Sequence, residues 1–257
     1  MKIKNYFLFF VLLLIFIGCS KEDDNNNPPA IDKSANLKSL GFSANELVSD
    51  EKFTSLKIEV VYVTGFQPTQ TTLNNLKTFL ENRTHKPDGI LITTRAVPSS
   101  HKAPFNINEI AQIEAEERTA YNAGDEIAVF IYFADGSNEN DTDTKTVLGT
   151  SFRNTSMVIY GKTIQFIADH NNNLERSTVE STVINHEFAH LFGLVNMGTP
   201  MQTNHEDSGS KGHCSVADCL MAASFQFGGH MMNVLSNNTI PVLDDLCIGD
   251  LQANGGR

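Results

Sequence analysis

Tryptophan is absent from this chain of 257 residues, and only five tyrosines occur, one of them near the N-terminus at position 6. A protein that cradles a solute or glycan against stacked rings has little here to build with. Cationic residues are also scarce, with 19 Lys and Arg against 30 Asp and Glu and a formal net charge of −11. That balance excludes nucleic acid as a partner, because such binding needs a basic face. It equally excludes docking on anionic lipid by charge, and it says nothing about fold. Cysteine is sparse, at four residues, and no internal repeat is visible. The apolar run from Phe7 to Ile17 is too short to span a bilayer comfortably as a permanent helix.

That run follows Lys2 and Lys4 and ends at "GCS", the layout of an export signal. "FIGC" resembles a lipobox, with Phe16 where Leu is usual, and implies a leader over 1–19 and an acylated Cys19. An ordinary signal peptide or an uncleaved anchor would likewise place the domain outside the cytoplasm. Losing the leader removes two lysines and no acid, so the mature chain is more acidic still. Residues 20–34, "SKEDDNNNPPAIDKS", read as an acidic, Asn-rich tether. An acidic stretch directly after the lipidated Cys resembles the signal of surface-exposed lipoproteins in some Gram-negative bacteria. The expectation is an outer-membrane lipoprotein displayed at the surface, with a periplasm-facing placement as the alternative. Its lipid is the only membrane attachment expected, and the protein is expected to be a monomer. Residues 35–257 suit one domain, with an upper lobe over about 55–194 and a lower one over about 195–257.

Three cysteines remain, Cys214, Cys219 and Cys247. In an oxidising compartment one disulfide and one free thiol are expected. Cys214 and Cys219 are close enough to pair across a turn, and Cys247 could replace either.

After a polar lead-in over 35–54, β-branched runs predict strands at 55–65, 89–97, 125–136, 147–152 and 156–164. Helical spacing of apolar residues predicts helices over 69–84 and 106–121, and a short one within 241–256. The fold class expected is α+β, a mixed twisted sheet backed by helices. "STVE" at 177–180 predicts a capping box with Ser177 as N-cap and Glu180 at N3. The helix that follows carries "HEFAHLFGLVN", residues 186–196.

His186 and His190 lie four apart, so on a helix both imidazoles point one way and can share an ion. Zn²⁺ favours such nitrogen donors, and a catalytic site keeps three protein ligands and one open position. Glu187, offset by one residue, reaches a metal-activated water and can act as general base. A bare H-E-x-x-H arises by chance on many surface helices. Here it sits in an apolar, capped helix of an exported chain.

"HEFAHLFGL" resembles the metzincin clan of zinc peptidases, whose motif is H-E-x-x-H-x-x-G-x-x-H. The resemblance implies a metzincin-like zincin with an active-site helix and a small C-terminal lobe after a Met-turn. It also implies one catalytic Zn²⁺ and a protein or peptide substrate. Gly193 takes the place of the turn glycine, which suits a positive φ. The third-ligand slot, however, holds Asn196, a poor zinc ligand and here expected to be a loop residue. His213 and His205 are the candidates to replace it, and Glu206, in a loop, would make a gluzincin-like set. Met221 lies eight residues after His213, about the spacing of the matrixin-like and archaemetzincin-like Met-turn. "HCSVADCLM" resembles the archaemetzincin pattern. On that resemblance the motif is intact but split by an insert over 196–212, with His213 as third ligand and His205 as alternative.

The archaemetzincins' later Cys-x-x-Cys, which holds a second, structural zinc, has no counterpart, because Cys247 stands alone. No second metal and no structural Ca²⁺ is therefore implied, although His205, Glu206 and Asp207 could bind a cation. Ala223 stands where some members place a helper Tyr. His170, beside three asparagines, reads as a loop residue. In the clan an edge strand before the active helix binds extended peptide, which implies the same for residues near 150–160. As a whole chain, with "SLGFSANELVSDEKF" (39–53) and "GLVNMGTPM" (193–201), it resembles bacterial "membrane metalloprotease" lipoproteins. No prodomain with an inhibitory Cys is visible. The function expected is an extracytoplasmic zinc endopeptidase. The alternative is a catalytically degenerate, metzincin-like surface adhesion protein, for which Asn196 is the sole support.

Overall fold

A computed structural model describes residues 32–171, 173–225 and 237–257. The leader, Cys19 and most of the tether lie outside the described residues. Among the described residues no helix is long and apolar enough to cross a membrane.

Five strands form one sheet: β1 (Ser55–Val63), β2 (Gly89–Val97), β3 (Glu126–Phe133), β4 (Gly149–Arg153) and β5 (Ser156–Ile159). Their order is β2-β1-β3-β5-β4. All neighbours run parallel except β4, which pairs antiparallel with β5 and forms one edge. The sequence explains this order. β3 is "EIAVFIYF", buried from its second residue onward, as a central parallel strand covered on both faces must be. β2 is largely exposed and takes the other edge.

Alternation along the strands sorts the core into two layers. Leu56, Ile58 and Val60 of β1 and Ile127, Val129, Ile131 and Phe133 of β3 point to one side. There they meet Leu76 and Leu80 of helix α2 (Gln70–Arg83) and Val183, Ile184 and Phe188 of helix α5 (Arg176–Leu191). Val61, Val63, Phe130 and Tyr132 point to the other side, where Ile110 and Ile113 of α3 (Ile107–Glu117) cover them. Asn106 and Glu109 form a capping box that starts α3.

Three expectations need correction. The lead-in is not merely polar: its helix α1 (Ala44–Val48) and Phe53 contribute Leu47, Val48 and Phe53 to the core. The run 156–164 is not one strand. β5 stops at Ile159 and α4 (Gly161–Asp169) begins, because Ile164 and Ile167 fall at helical spacing against the core. Nor is Ser177 the cap of α5, whose N-cap is Glu175 with no side-chain bond. Glu180 turns away instead and is fully buried. It accepts from the Thr69 amide (2.9 Å) and the Thr72 hydroxyl (2.6 Å) and pairs with Arg176 (2.7 Å). A buried carboxylate must be fully bonded, and the first turn of α2 offers the donors.

The second layer contains a buried ion pair. Arg118 and Glu114 meet at 2.8 Å with essentially no side-chain exposure, and Arg153 of β4 reaches the same carboxylate at 2.7 Å. Arg118 also donates to Ala120 O, Ala128 O and Ser156 Oγ. Removing one partner of such a pair strands the other charge in the interior. Arg118→Ala is expected to cost about 3–5 kcal/mol, read from the urea midpoint. A loss under about 1 kcal/mol would mean that solvent reaches Glu114.

Candidate metal centre

Helix α5 is the sole carrier of the first three functional side chains. From Thr178 onward every residue in it is buried, so its histidines face protein rather than water. His186 and His190 sit one helical turn apart with their Nε2 atoms 3.1 Å from each other. Two nitrogen ligands on one tetrahedral zinc would stand about 3.3 Å apart.

The third imidazole arrives from the far side of the insert. Gly193 (φ +73°) turns the chain off α5, and a Cβ there would meet Thr199 N at 2.6 Å and Ala44 Cβ at 2.8 Å. Thr199 locks the turn, its amide donating to Gly193 O and its hydroxyl to Phe192 O. Further on, the insert pairs with its own exit. Asp207 N donates to His213 O and Ser215 N to His205 O, both at 2.8 Å. His213 is thereby delivered to α5. Its ring centroid lies 5.3 Å from that of His186 and 5.2 Å from that of His190, which are themselves 4.7 Å apart. The donor atoms of these three residues lie within 4.8 Å of one another, all buried. They are a group that could hold a metal ion.

The partners of the rings fit a ligand role. His186 Nδ1 lies 2.7 Å from Leu220 O. A carbonyl can only accept, so Nδ1 carries the proton and the Nε2 lone pair faces the cluster. Burial, then the His213 charge, depresses the His186 pKa to about 3. Burial likewise holds His190 well below its usual value. Both rings are thus neutral, the form that binds metal.

Glu187 lies beside the histidines and is fixed by the edge strand. Ser151 N donates to its Oε2 at 2.7 Å, and Ser151 Oγ donates to its backbone carbonyl at 2.8 Å. Its Oε1 is buried without a partner. Burial raises its pKa to about 7, against the Ser151 hydrogen bonds that lower it. Gly149 leaves the room, since a Cβ there would stand 2.8 Å from both Glu187 Cγ and Val183 Cγ1. Neither Gly149 nor Ser151 is conspicuous in the sequence. The "GTS" of a short strand carries no signal of a carboxylate packed against it.

The remaining candidates sort clearly. Asn196 is exposed with φ +64° and joins no ligand group, so the empty slot of the motif is a loop residue. His205 does not join the other histidines. Its donor atom groups instead with those of Cys214, Asp244 and Cys247, within 4.8 Å of one another. Glu206 accepts from Gly212 N and is likewise elsewhere. His170 is exposed and stacks on Phe166 at 4.1 Å. Met221 is fully buried, and its carbonyl accepts from Cys214 N at 2.8 Å. The expected Cys214–Cys219 disulfide is corrected: Cys214, Cys219 and Cys247 are all free and buried. Closeness in sequence did not bring those two sulfurs into a bond, because Cys214 turns toward His205 and Cys219 toward Cys247 of the C-terminal helix.

The shifted groups give a pH dependence to the metal-free protein. Between pH 6.5 and about 3 the unfolded chain binds a proton at His186 that the folded chain does not, so stability falls with acid there. His190 acts in the same direction. Glu187 opposes them between about 7 and 4.5, because it is protonated in the fold and ionised outside it. Two histidines outweigh one glutamate, so the net effect is loss on acidification, steeper below pH 4.5. The difference in urea midpoint between chelated wild type and His186→Gln/His190→Gln should shrink from pH 7 to pH 4. A difference that grows would contradict neutral buried imidazoles. No family profile matches the chain and no curated protein does, so the chemistry of the site has to be read from its own residues.

Proposed function

We propose that the domain is a zinc-dependent endopeptidase of metzincin-like build. The observation that carries this reading is the convergence of three buried imidazoles beside Glu187, whose Oε1 has no partner. Three imidazole nitrogen donors suit Zn²⁺ and leave a fourth position open, as catalytic rather than structural sites do. Bound there, zinc supplies Lewis acidity to a water and to a peptide carbonyl.

The chain's own residues account for the rest. Ser151 holds Glu187 Oε2 and leaves Oε1 to take the water's proton and return it to the departing amine. A carboxylate raised to about pH 7 by burial is a better base than one in solvent. Leu220 orients His186 through Nδ1. Strand β4 has a neighbour on one side only and carries Ser151, so an extended peptide adding to its free edge would run alongside Glu187. Acylation at Cys19 and display at the cell surface belong to the same proposal and rest on the leader and on the acidic stretch that follows it. Against the adhesion-protein alternative stands the grouping of His213 with His186 and His190, which offers a third imidazole where Asn196 offers none.

The test is zinc content together with casein cleavage. Glu187→Gln should keep its zinc while cleavage falls by about 10²–10⁴-fold. Asn196→Ala should leave both unchanged. Cleavage by Glu187→Gln at the wild-type rate, or a wild type that takes up no zinc at the histidines, would sink the reading.

A further inference from the structure

Among the described residues, a second group of metal-ligating side chains lies where the insert, the segment 213–221 and helix α6 (Asp245–Ala253) meet. His205 Nδ1 is 3.2 Å from Cys214 Sγ and 4.0 Å from Cys247 Sγ. Cys247 Sγ is 3.6 Å from Cys219 Sγ. All four residues are at most 3% exposed. On a tetrahedral zinc, with its usual bond lengths, two thiolates would stand about 3.8 Å apart and a thiolate and an imidazole nitrogen about 3.6 Å. The two imidazole-to-sulfur separations lie on either side of 3.6 Å, and the Cys219–Cys247 separation lies just below 3.8 Å. They are far beyond a disulfide's S–S bond of about 2.05 Å.

The histidine is also prepared for the role. His205 Nε2 lies 2.8 Å from Asp250 Oδ2, both side chains 1% exposed, so the carboxylate holds the proton on Nε2 and the Nδ1 lone pair faces the sulfurs. Asp250 is fixed in turn by the Gln202 amide at 2.6 Å. Asp244 also approaches, with Oδ2 3.7 Å from Cys214 Sγ. Its Oδ1 already caps α6 by accepting from Cys247 N at 2.9 Å.

The donor atoms that lie within 4.8 Å of one another are those of His205, Cys214, Asp244 and Cys247, and Cys219 joins them through Cys247 and Asp244. We propose that His205, Cys214, Cys219 and Cys247 form a second, zinc-type metal site that holds the histidine centre together, with the softer Cys219 thiolate as fourth ligand in place of the Asp244 carboxylate. Three thiolates and one imidazole are a closed structural set with no open position. Soft sulfur donors select zinc over calcium or magnesium. The site explains the insert, whose His205 is its only contribution to the set. It also touches the histidine centre through two dipeptides. Cys214 follows His213, and Cys219 precedes Leu220, whose carbonyl holds His186. In each pair one residue serves one centre and its neighbour serves the other. Asp244 is then a neighbour that accepts thiol protons before the ion binds, and not a ligand.

Cobalt(II) in place of zinc tests this without recourse to peptidase activity. Thiolate-to-cobalt charge transfer arises only at a cysteine site, and the histidine centre has no sulfur ligand. Wild type should bind two cobalt ions and show the band. His186→Ala/His190→Ala should bind one and keep the band, whatever the fate of the peptidase reading. Cys219→Ser and His205→Ala should lose or shift it, whereas Asp244→Asn should keep it. Cys247→Ser should weaken zinc at the histidine centre by about 10–100-fold. A single cobalt with no charge-transfer band in wild type, or a Cys219–Cys247 disulfide found by mass spectrometry, would overturn the second site. Unchanged zinc affinity in Cys247→Ser would overturn its coupling to the first. The wild-type and double-histidine readings stand even if a cysteine variant fails to fold.

Discussion

The return of residues His213–Met221 against helix α5 is the contact on which the histidine group depends. One hydrogen bond marks it, from His186 Nδ1 to Leu220 O at 2.7 Å. That bond fixes the tautomer of the first histidine, and the same segment supplies the third. Helix α5 alone offers two imidazoles and a carboxylate on one buried stripe, an arrangement with three titratable groups and too few partners. A helix so placed is costly unless its polar groups are satisfied or an ion takes them up. The unpartnered Glu187 Oε1 and His190 Nδ1 show that the protein itself does not finish the task.

The surrounding fold can be understood as support for that segment. The sheet supplies a rigid wall, and its β4 edge pins Glu187 through Ser151 while Gly149 makes room. The insert, which divides the motif in sequence, shortens the distance in space by pairing residues 205–207 with 213–215. Its start is clamped by Thr199 onto the last turn of α5, and Asn254 from the C-terminal helix reaches the same hydroxyl at 2.7 Å. Insert, helix and C-terminus are thus joined around the site by short polar contacts, with hydrophobic burial behind them.

Much of this was legible in the sequence because it is periodic. The five strands and the helices at 70–83, 107–117 and 176–191 follow from alternation or from helical spacing, with their ends shifted by a few residues. Helix α4 was hidden because its apolar residues continue directly from β5, so one run held two periods. The capping box at Ser177 failed because Glu180 had better donors in α2, a contact across more than a hundred residues that no local pattern encodes. The Cys214–Cys219 pairing failed for a related reason, since spacing states only what could meet. His205 was weighed as a rival third ligand, and the structure groups it instead with Cys214, Asp244 and Cys247. What relocates it is Asp250, 45 residues away and unremarkable in the sequence. Within the site, the pair His186 and His190 and the third imidazole His213 were readable, whereas the Ser151 and Gly149 supports were not.

The measurement that bears most directly on the split site is anomalous scattering from a zinc-soaked crystal, collected on both sides of the zinc edge. The account predicts a peak about 2.0–2.1 Å from one nitrogen each of His186, His190 and His213, with Asn196 turned to solvent. A zinc ion held by His186 and His190 with Asn196 or Glu206 as third ligand, or no peak at α5 at all, would contradict it.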